Sequence, residues 1–374
     1  MSVSDKKKAE CCGCNACAEI CPKHCIRMTE DAKGFLYPKV DSAICIECGA
    51  CEKVCPLNTS NISLKIPLKA FAALNKNRQE HLASSSGGAA YILSSYILDK
   101  GGVVYGCTSD GIDVRHIRVE NHSDLSKLQG SKYVQSNVCG LFKDVKNDLK
   151  SGKPVLFIGT PCQVAGLKNY IKHIPEHLYL VDLICHGVPS KKMLHDHVKH
   201  VAKGQKIKHI SFRKGNDYRL SIQTVNFSYE VSLWETPYKD LYLKGFIEGM
   251  ISRPSCYKCP FACPTRVSDI TIGDFWGLKN AELLPEETRD GVSLLLPMTD
   301  KGLNLVQAVE SNFHIIERSV DEAVDGNTQL RYPSLQGHRS HLFNILYPIL
   351  SFDIAMNIVL ADHKAIWKFK KRNY

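Results

Sequence analysis

The sequence predicts an α/β core built on a mixed sheet and preceded by a small cysteine-rich domain. Three observations lead there. A Cys-x2-Cys-x2-Cys-x3-Cys-Pro pattern occurs twice near the N-terminus, the copies 34 residues apart. Beyond it, short apolar runs alternate with segments of helical period, the order expected of strands feeding crossover helices. In the middle of the chain the strand-like runs cluster without helices between them, which adds antiparallel pairing and makes the sheet mixed.

The first copy is Cys11, Cys14, Cys17 and Cys21 followed by Pro22; the second is Cys45, Cys48, Cys51 and Cys55 followed by Pro56. This is the spacing of bacterial two-cluster ferredoxins. Three thiolates on one tight loop reach three irons of a cubane, and the fourth cysteine reaches the neighbouring cluster. Cluster one is thus expected on Cys11, Cys14, Cys17 and Cys55, and cluster two on Cys45, Cys48, Cys51 and Cys21. Structural zinc, the plainer alternative, normally takes two separated Cys-x2-Cys pairs and gives no reason for a third cysteine and a proline in each copy. Cys12 and Cys25 have no role in the repeat; Ile46 and Thr59 stand at the matching places. Cys25 reads as small buried filler and Cys12 as a spare thiol.

With 374 residues, 44% of them hydrophobic, the chain can bury a core of two or three domains. A polar stretch from Asp5 to Glu10 opens it, with no apolar leader before Cys11, so a reducing cytoplasm is expected. The net charge of +10 lies wholly beyond residue 60, because the first 60 residues carry 8 basic and 8 acidic side chains. Lys364, Lys368, Lys370, Lys371 and Arg372 crowd the end beside Trp367 and Phe369. Such a tail could touch an anionic membrane surface weakly, although a solvated tail is the simpler reading, and nucleic acid is not an expected partner. No transmembrane segment is expected, since Pro348 and Asp353 break the most apolar stretch, Leu342 to Leu360. The expected organisation is a ferredoxin domain over 1–60, a connector over 61–67, a core over 68–315 and an extension of unknown role over 316–374.

Expected strands are Val103 to Cys107, Val114 to Val119, Val155 to Gly159, Tyr179 to Cys185, Ile207 to Phe212, Ile222 to Phe227, Asp269 to Asp274 and Val292 to Leu296. Expected helices are Gly88 to Asp99, Leu141 to Lys150, Gln163 to Ile171, Lys191 to Ala202, Lys239 to Met250 and Gly302 to Glu310. Three places within them carry chemistry. Ser84-Ser85-Ser86-Gly87-Gly88 opens an apolar helix, where free backbone N–H groups can hold a phosphate; an ordinary cap is an equal reading. Cys162 and Cys185 each follow the carboxyl end of an apolar strand, so parallel pairing would bring both to one sheet edge. Cys256, Cys259 and Cys263 follow in a Pro-bounded loop and could complete a further metal site, the choice among them not settled by spacing; Cys162 alone could be a nucleophile. His186, beside Cys185, could supply a proton or be structural. Finally, Ser268 to Gly277 ends a strand in Asp274-Phe275-Trp276-Gly277, a wall suited to a planar ligand or a plain turn.

These pieces in this order resemble the coenzyme F420 hydrogenase/dehydrogenase beta-subunit family, in the form with an N-terminal two-cluster ferredoxin domain. The resemblance rests on Ser84 to Gly88, Gly130 to Ser136, Gly159 to Gly166, Cys185-His186-Gly187 and Arg253 to Gly277, within residues 8 to 315. It implies a flavoprotein that passes electrons between [4Fe-4S] clusters and FAD, with FMN as the alternative. It places a third cluster on Cys162, Cys185, Cys256 and Cys259, with Cys263 a bystander. Flavin contacts fall on Ser86, Gly87, Gly88, Ser131, Lys132 and Tyr133. It implies an oxidoreductase acting on a small organic substrate or a deazaflavin coenzyme, with a redox protein such as ferredoxin as partner. The competing readings are an electron-transfer subunit without a substrate site and a non-redox zinc protein.

Overall fold

The computed structural model describes residues 3–58, 63–279 and 288–372. Thr59, the start of the connector and the side chains of Lys368, Lys370, Lys371 and Arg372 lie outside the described residues. In the N-terminal segment each cysteine loop runs into a short helix, α1 (Ala16–Ile20) and α2 (Ala50–Lys53). Both helices are entered through a left-handed residue at the same place in the repeat, Asn15 with φ 67° and Gly49 with φ 68°. That conformation turns the loop sharply enough for its cysteines to face one another. Between the copies lies an antiparallel hairpin, β1 (Ile26–Glu30) and β2 (Leu36–Val40), where the sequence predicted no strand.

The core opens with β3 (Ala70–Asn75), α3 (Arg78–Ala83), α4 (Ala89–Asp99) and the hairpin β4 (Val103–Asp110) and β5 (Asp113–Val119). Then come α5 (Leu141–Lys150), β6 (Val155–Gly159), α6 (Pro161–Ile171), β7 (Leu178–Leu183) and α7 (Lys191–Val201). A separate antiparallel sheet follows, β8 (His209–Lys214), β9 (Asp217–Gln223) and β10 (Ser228–Ser232), and then α8 (Leu241–Ile247). The chain returns through β11 (Ile270–Asp274), β12 (Ser293–Pro297), α9 (Asp300–Ala308) and β13 (Phe313–Arg318). It ends in α10 (Val320–Gly326), α11 (His338–Leu346), α12 (Phe352–Val359) and α13 (Ala361–Arg372).

The main sheet has the order β13-β3-β12-β11-β7-β6-β4-β5. Its centre, β11-β7-β6-β4, is parallel and its flanks are antiparallel, which is the predicted mixed α/β core. Side chains alternate between two helical layers as strand geometry requires. Val103, Tyr105, Val155 and Phe157 pack toward α5 and α6, while Val104 and Leu156 pack toward α4 and α9. Cys12, Cys14, Ala16 and Val54 join the α5–α6 layer, so the cysteine-rich segment is packed onto the core.

Besides the hairpin β1–β2, three strands were not read from the sequence: β3, β10 and β13. β3 is rich in alanine, a poor strand former, yet it lies between β12 and β13 and is buried. β13 carries the polar His314, Glu317 and Arg318, which hide its apolar alternation. The expected strand Ile222 to Phe227 is instead the end of β9 and a turn: Thr224 Oγ1 accepts from the N–H groups of Asn226 and Phe227 at 3.3 and 2.9 Å before β10 begins. The expected helix Lys239 to Met250 is the shorter α8, which starts where the Asp240 side chain accepts from Leu243 N at 2.7 Å.

A buried charged triad ties α7 to α8 and α12. His197 Nδ1 lies 2.8 Å from Asp353 Oδ1 and its Nε2 lies 3.0 Å from Asp240 Oδ2. Burial alone would lower its pKa, but the two carboxylates override it and raise His197 from 6.5 to about 10. A raised folded-state pKa contributes stability that is fully present below about pH 6.5 and is lost as pH rises through about 10. His197→Gln should therefore lower the thermal midpoint most at pH 6.5 and progressively less toward pH 10. A deficit that stays constant across that range would show that the imidazolium does not carry the contribution.

Candidate functional site

β6 and β7 are parallel neighbours with Gly159 opposite Asp182, so both release their chains at one edge of the sheet. From β6 the chain turns through Thr160 and Pro161 into α6, with Thr160 N donating to Gln163 Oε1 at 3.0 Å in a capping box. Cys162 sits in the first turn of that helix. From β7 the chain reaches Cys185. Cys256 and Cys259 come from the loop before β11, which two buried groups hold against this edge. Arg266 donates to Asp182 Oδ1 at 3.1 and 3.2 Å and to the carbonyls of Phe261 and Leu183 at 2.5 and 2.7 Å. Tyr257 donates to Gly249 O at 2.7 Å.

Cys162, Cys185, Cys256 and Cys259 line one cavity, and Cys12 lines it with them. Burial and the neighbouring thiols oppose ionisation of each. Contact with Cys12, then burial, pushes Cys162 up; burial and the facing Cys185, Cys162 and Cys259 push Cys256 up. Burial, then Cys162, raises Cys185 to about 11 and Cys259 to about 12. Such thiols become thiolates when a cation supplies the compensating charge. Among the described residues, no three Cys, His, Asp or Glu side chains close tightly enough to hold a single metal ion. Four thiols spread around a cavity fit a polynuclear centre better than tetrahedral zinc.

Cys263 is not part of that lining; its Sγ donates to Thr265 O at 3.1 Å within its own loop. His186 has both ring nitrogens engaged, Nε2 at 2.9 Å from Ile247 O and Nδ1 at 2.9 Å from Gln329 Nε2. An Nε2–H donor and an Nδ1 acceptor satisfy both contacts, so the neutral ring is held in place. Burial lowers its pKa as well.

In the cysteine-rich segment Cys17 is raised to about 12, by burial first and then by Cys11, Cys55 and Cys51. Cys55 and Cys51, both from the second copy, thus lie near Cys17 of the first. Lys6 Nζ stands 3.1 Å from Cys55 Sγ. Cys25 is buried with its Sγ 3.3 Å from that of Cys21 and beside Cys45. The segment meets the core through Arg253, which is fully buried. Its guanidinium donates to Cys11 O at 2.7 Å, Leu36 O at 2.7 Å and Gln135 Oε1 at 3.0 Å. Glu19 accepts from Gly140 N and Lys143 N at 3.0 and 3.1 Å, capping α5 from across the junction.

The serine-glycine loop lies on the same sheet edge, beside the end of β3 and the start of β12. Gly87 is pressed so closely there that a Cβ would come 2.0 Å from Ala73 O, and Gly88 has φ +84°. Ser84 donates to Glu80 O at 2.8 Å, and Ser85 Oγ accepts from Ser131 N at 2.6 Å, which joins the two predicted flavin segments. Ser86 Oγ is buried with no hydrogen-bond partner among the described residues. Lys132 Nζ donates to Leu128 O and Gln129 O at 3.0 and 2.8 Å, and burial lowers it to about 8. Tyr133 is sandwiched in an aromatic row: His186 to Phe246 at 5.2 Å, Phe246 to Tyr133 at 4.4 Å, Tyr133 to Tyr218 at 5.9 Å and Tyr218 to Trp276 at 6.3 Å.

That row ends at a second cavity, lined by Asn216, Asp274, Trp276 and Leu278 among others. Arg213 Nη1 donates to Asp274 Oδ2 at 2.6 Å and the guanidinium packs over Tyr218 and Trp276 at 4.9 and 5.6 Å. Among the described residues its Nη2 and Asp274 Oδ1 are buried without partners. Sequence reasoning did not single out Arg213, Arg253 or Arg266. The last two bracket the cysteine loop, and charged residues flanking a run of presumed ligands were the available signal.

Residues 152–323 match the family model for the C terminus of the coenzyme F420 hydrogenase/dehydrogenase beta subunit, and residues 10–59 match that of the 4Fe-4S dicluster domain. A chain in a structure of the F420-reducing [NiFe] hydrogenase complex from Methanosarcina barkeri is similar over 71% of this chain and 91% of its own, at 18% identity and a TM-score of 0.46. No curated protein matches. Among the described residues no helix is long and apolar enough to cross a membrane. The cysteine repeat thus lies within the match to the 4Fe-4S dicluster domain, and the sheet edge with its cysteine loop within the match to the C-terminal part of the coenzyme F420 hydrogenase/dehydrogenase beta subunit, which the chain resembles over those residues.

Proposed function

We propose that this chain is an iron–sulfur flavoprotein oxidoreductase that moves electrons between two ferredoxin-type clusters, a third cluster in the core and a flavin. The observation that carries the reading is the convergence of Cys162, Cys185, Cys256 and Cys259 on one cavity against which the ferredoxin-like loop is packed. Those four thiolates would hold the core cluster. Cys11, Cys14, Cys17 and Cys55, and Cys45, Cys48, Cys51 and Cys21, would hold the other two. Lys6 at Cys55 and Arg253, whose Nη2 is 3.6 Å from Cys11 Sγ, offset the negative charge that ligation places there.

Ser86, Gly87, Gly88, Ser131, Lys132 and Tyr133 would hold the flavin, FAD by resemblance. The free hydroxyl of Ser86, the flush glycines and the buried ammonium of Lys132 suit phosphate or ring oxygens. When bound, a flavin joins the one-electron chemistry of clusters to the two-electron chemistry of hydride transfer. The aromatic row walls a water-poor region between the cysteine cavity and the second cavity. There Asp274, whose Oδ1 has no partner among the described residues, offers an acceptor at the cavity wall to an N–H or O–H of a small organic substrate or a deazaflavin. A redox protein such as ferredoxin is the proposed exchange partner, and the cytoplasm the proposed setting.

Anaerobically purified protein should contain about twelve irons, with matching sulfide, and one flavin per chain. Material lacking the brown absorbance and any yellow pigment after reconstitution would end this reading. Cys162→Ser should remove about four of those irons and leave the ferredoxin clusters, as read by iron assay and electron paramagnetic resonance. Iron unchanged in that variant would reject Cys162 as a ligand. Lys132→Met should lower bound flavin while iron stays at the wild-type level, and full flavin retention would remove Lys132 from the contact set.

A further inference from the structure

The core cavity is lined by five cysteines, one more than a cubane takes, and the fifth comes from the ferredoxin-like segment. Cys12 follows the cluster-one ligand Cys11 directly, is 8% exposed, and has its thiol against Cys162 on one side and Cys14 on the other. Its position is clamped from the core. Gln135 Nε2 donates to Cys12 O at 2.9 Å, and Arg253 holds both Gln135 and the carbonyl of Cys11. A Cβ on Gly13 would come 2.8 Å from both Arg253 and Gln135, and one on Gly166 of α6 would come 3.1 Å from Cys14 Sγ. The loop therefore approaches the core as closely as its backbone permits. In the second copy of the repeat the matching residue is Ile46, which is 56% exposed, so the thiol stands only where the repeat meets the core.

Resting on the cluster reading above, we propose that Cys12 is the bridge between the cluster on Cys11, Cys14, Cys17 and Cys55 and the core cluster, its thiol donating a hydrogen bond to Cys162 Sγ without ligating iron. With both clusters in place, one electron would pass from the first to the core cluster while no bond at Cys12 is made or broken and Cys12 is neither oxidised nor reduced. A donor at a ligand sulfur favours the more negative, reduced cluster, so it also raises the midpoint potential of the core centre.

The test uses the full chain, purified anaerobically, as wild type, Cys12→Ala, Cys12→Ser and Cys12→Ile, the last being the residue of the second copy. In the alanine and isoleucine variants iron and sulfide should equal wild type, the core cluster should titrate at a lower potential, and freeze-quenched spectra should show it filling severalfold more slowly after the ferredoxin clusters are reduced. Serine, which keeps a donor, should restore the potential more fully than alanine. If alanine prevents folding, a serine variant of near wild-type potential alongside a lowered isoleucine variant gives the same support. Loss of about four irons from any variant would overturn the proposal by making Cys12 a ligand. Unchanged potential and rate would overturn it by making Cys12 filler. Wild-type protein lacking the clusters would instead refute the functional reading on which this inference rests.

Discussion

Arg253 is a cation with no solvent exposure, and a guanidinium removed from water is tolerated only when its donors are matched and its charge is compensated. Here carbonyls of Cys11 and Leu36, the side chain of Gln135 and the face of Tyr37, 4.4 Å from the guanidinium carbon, surround it. Cys11 belongs to the cysteine loop, and Leu36 and Tyr37 to the hairpin that follows it, while Arg253 itself opens the loop carrying Cys256 and Cys259. One buried charge thus fixes two cysteine-bearing loops relative to each other. Without it the loops would have no common frame, and the cysteines of the two halves would not share a wall.

The repeat is symmetric in sequence and asymmetric in place. The first copy is buried against α6 and the Arg253 loop, whereas Ile44, Ile46 and Cys48 of the second face solvent. Tight contact on one side requires small residues: Gly13 and Gly166 lie where a side chain would collide with Arg253 or Cys14. The hairpin makes a second anchorage, with Ser190 donating to Lys33 O at 2.5 Å.

The sheet supplies the other half of the arrangement. Parallel strands all deliver their carboxyl ends to one edge, so Cys162 and Cys185 meet there by topology alone. Antiparallel flanking strands bring Asn75 and Ser293 to the edge where β11 ends at Asp274, and with them the serine-glycine loop. Polar groups that this edge leaves buried and unpaired among the described residues, Ser86 Oγ, Arg213 Nη2 and Asp274 Oδ1, cost stability unless something meets them, and that is the physical reason to regard the edge as built for ligands.

Local information sufficed for the ferredoxin-like repeat, because its cysteines are three or four residues apart and a loop of that length can hardly place them elsewhere. It also sufficed for the parallel strands, whose continuous apolar runs Val155–Gly159 and Leu178–Leu183 report burial on both faces. Alanine-rich β3, polar β13 and the turn at Thr224 were not legible, since neighbours rather than propensity decide them. Nor could spacing choose among Cys256, Cys259 and Cys263, or show that Cys12 faces Cys162. Those are contacts between residues far apart in the chain, and only the packing of the cysteine loop onto α6, with Arg253 buried between, decides which thiols share a cavity.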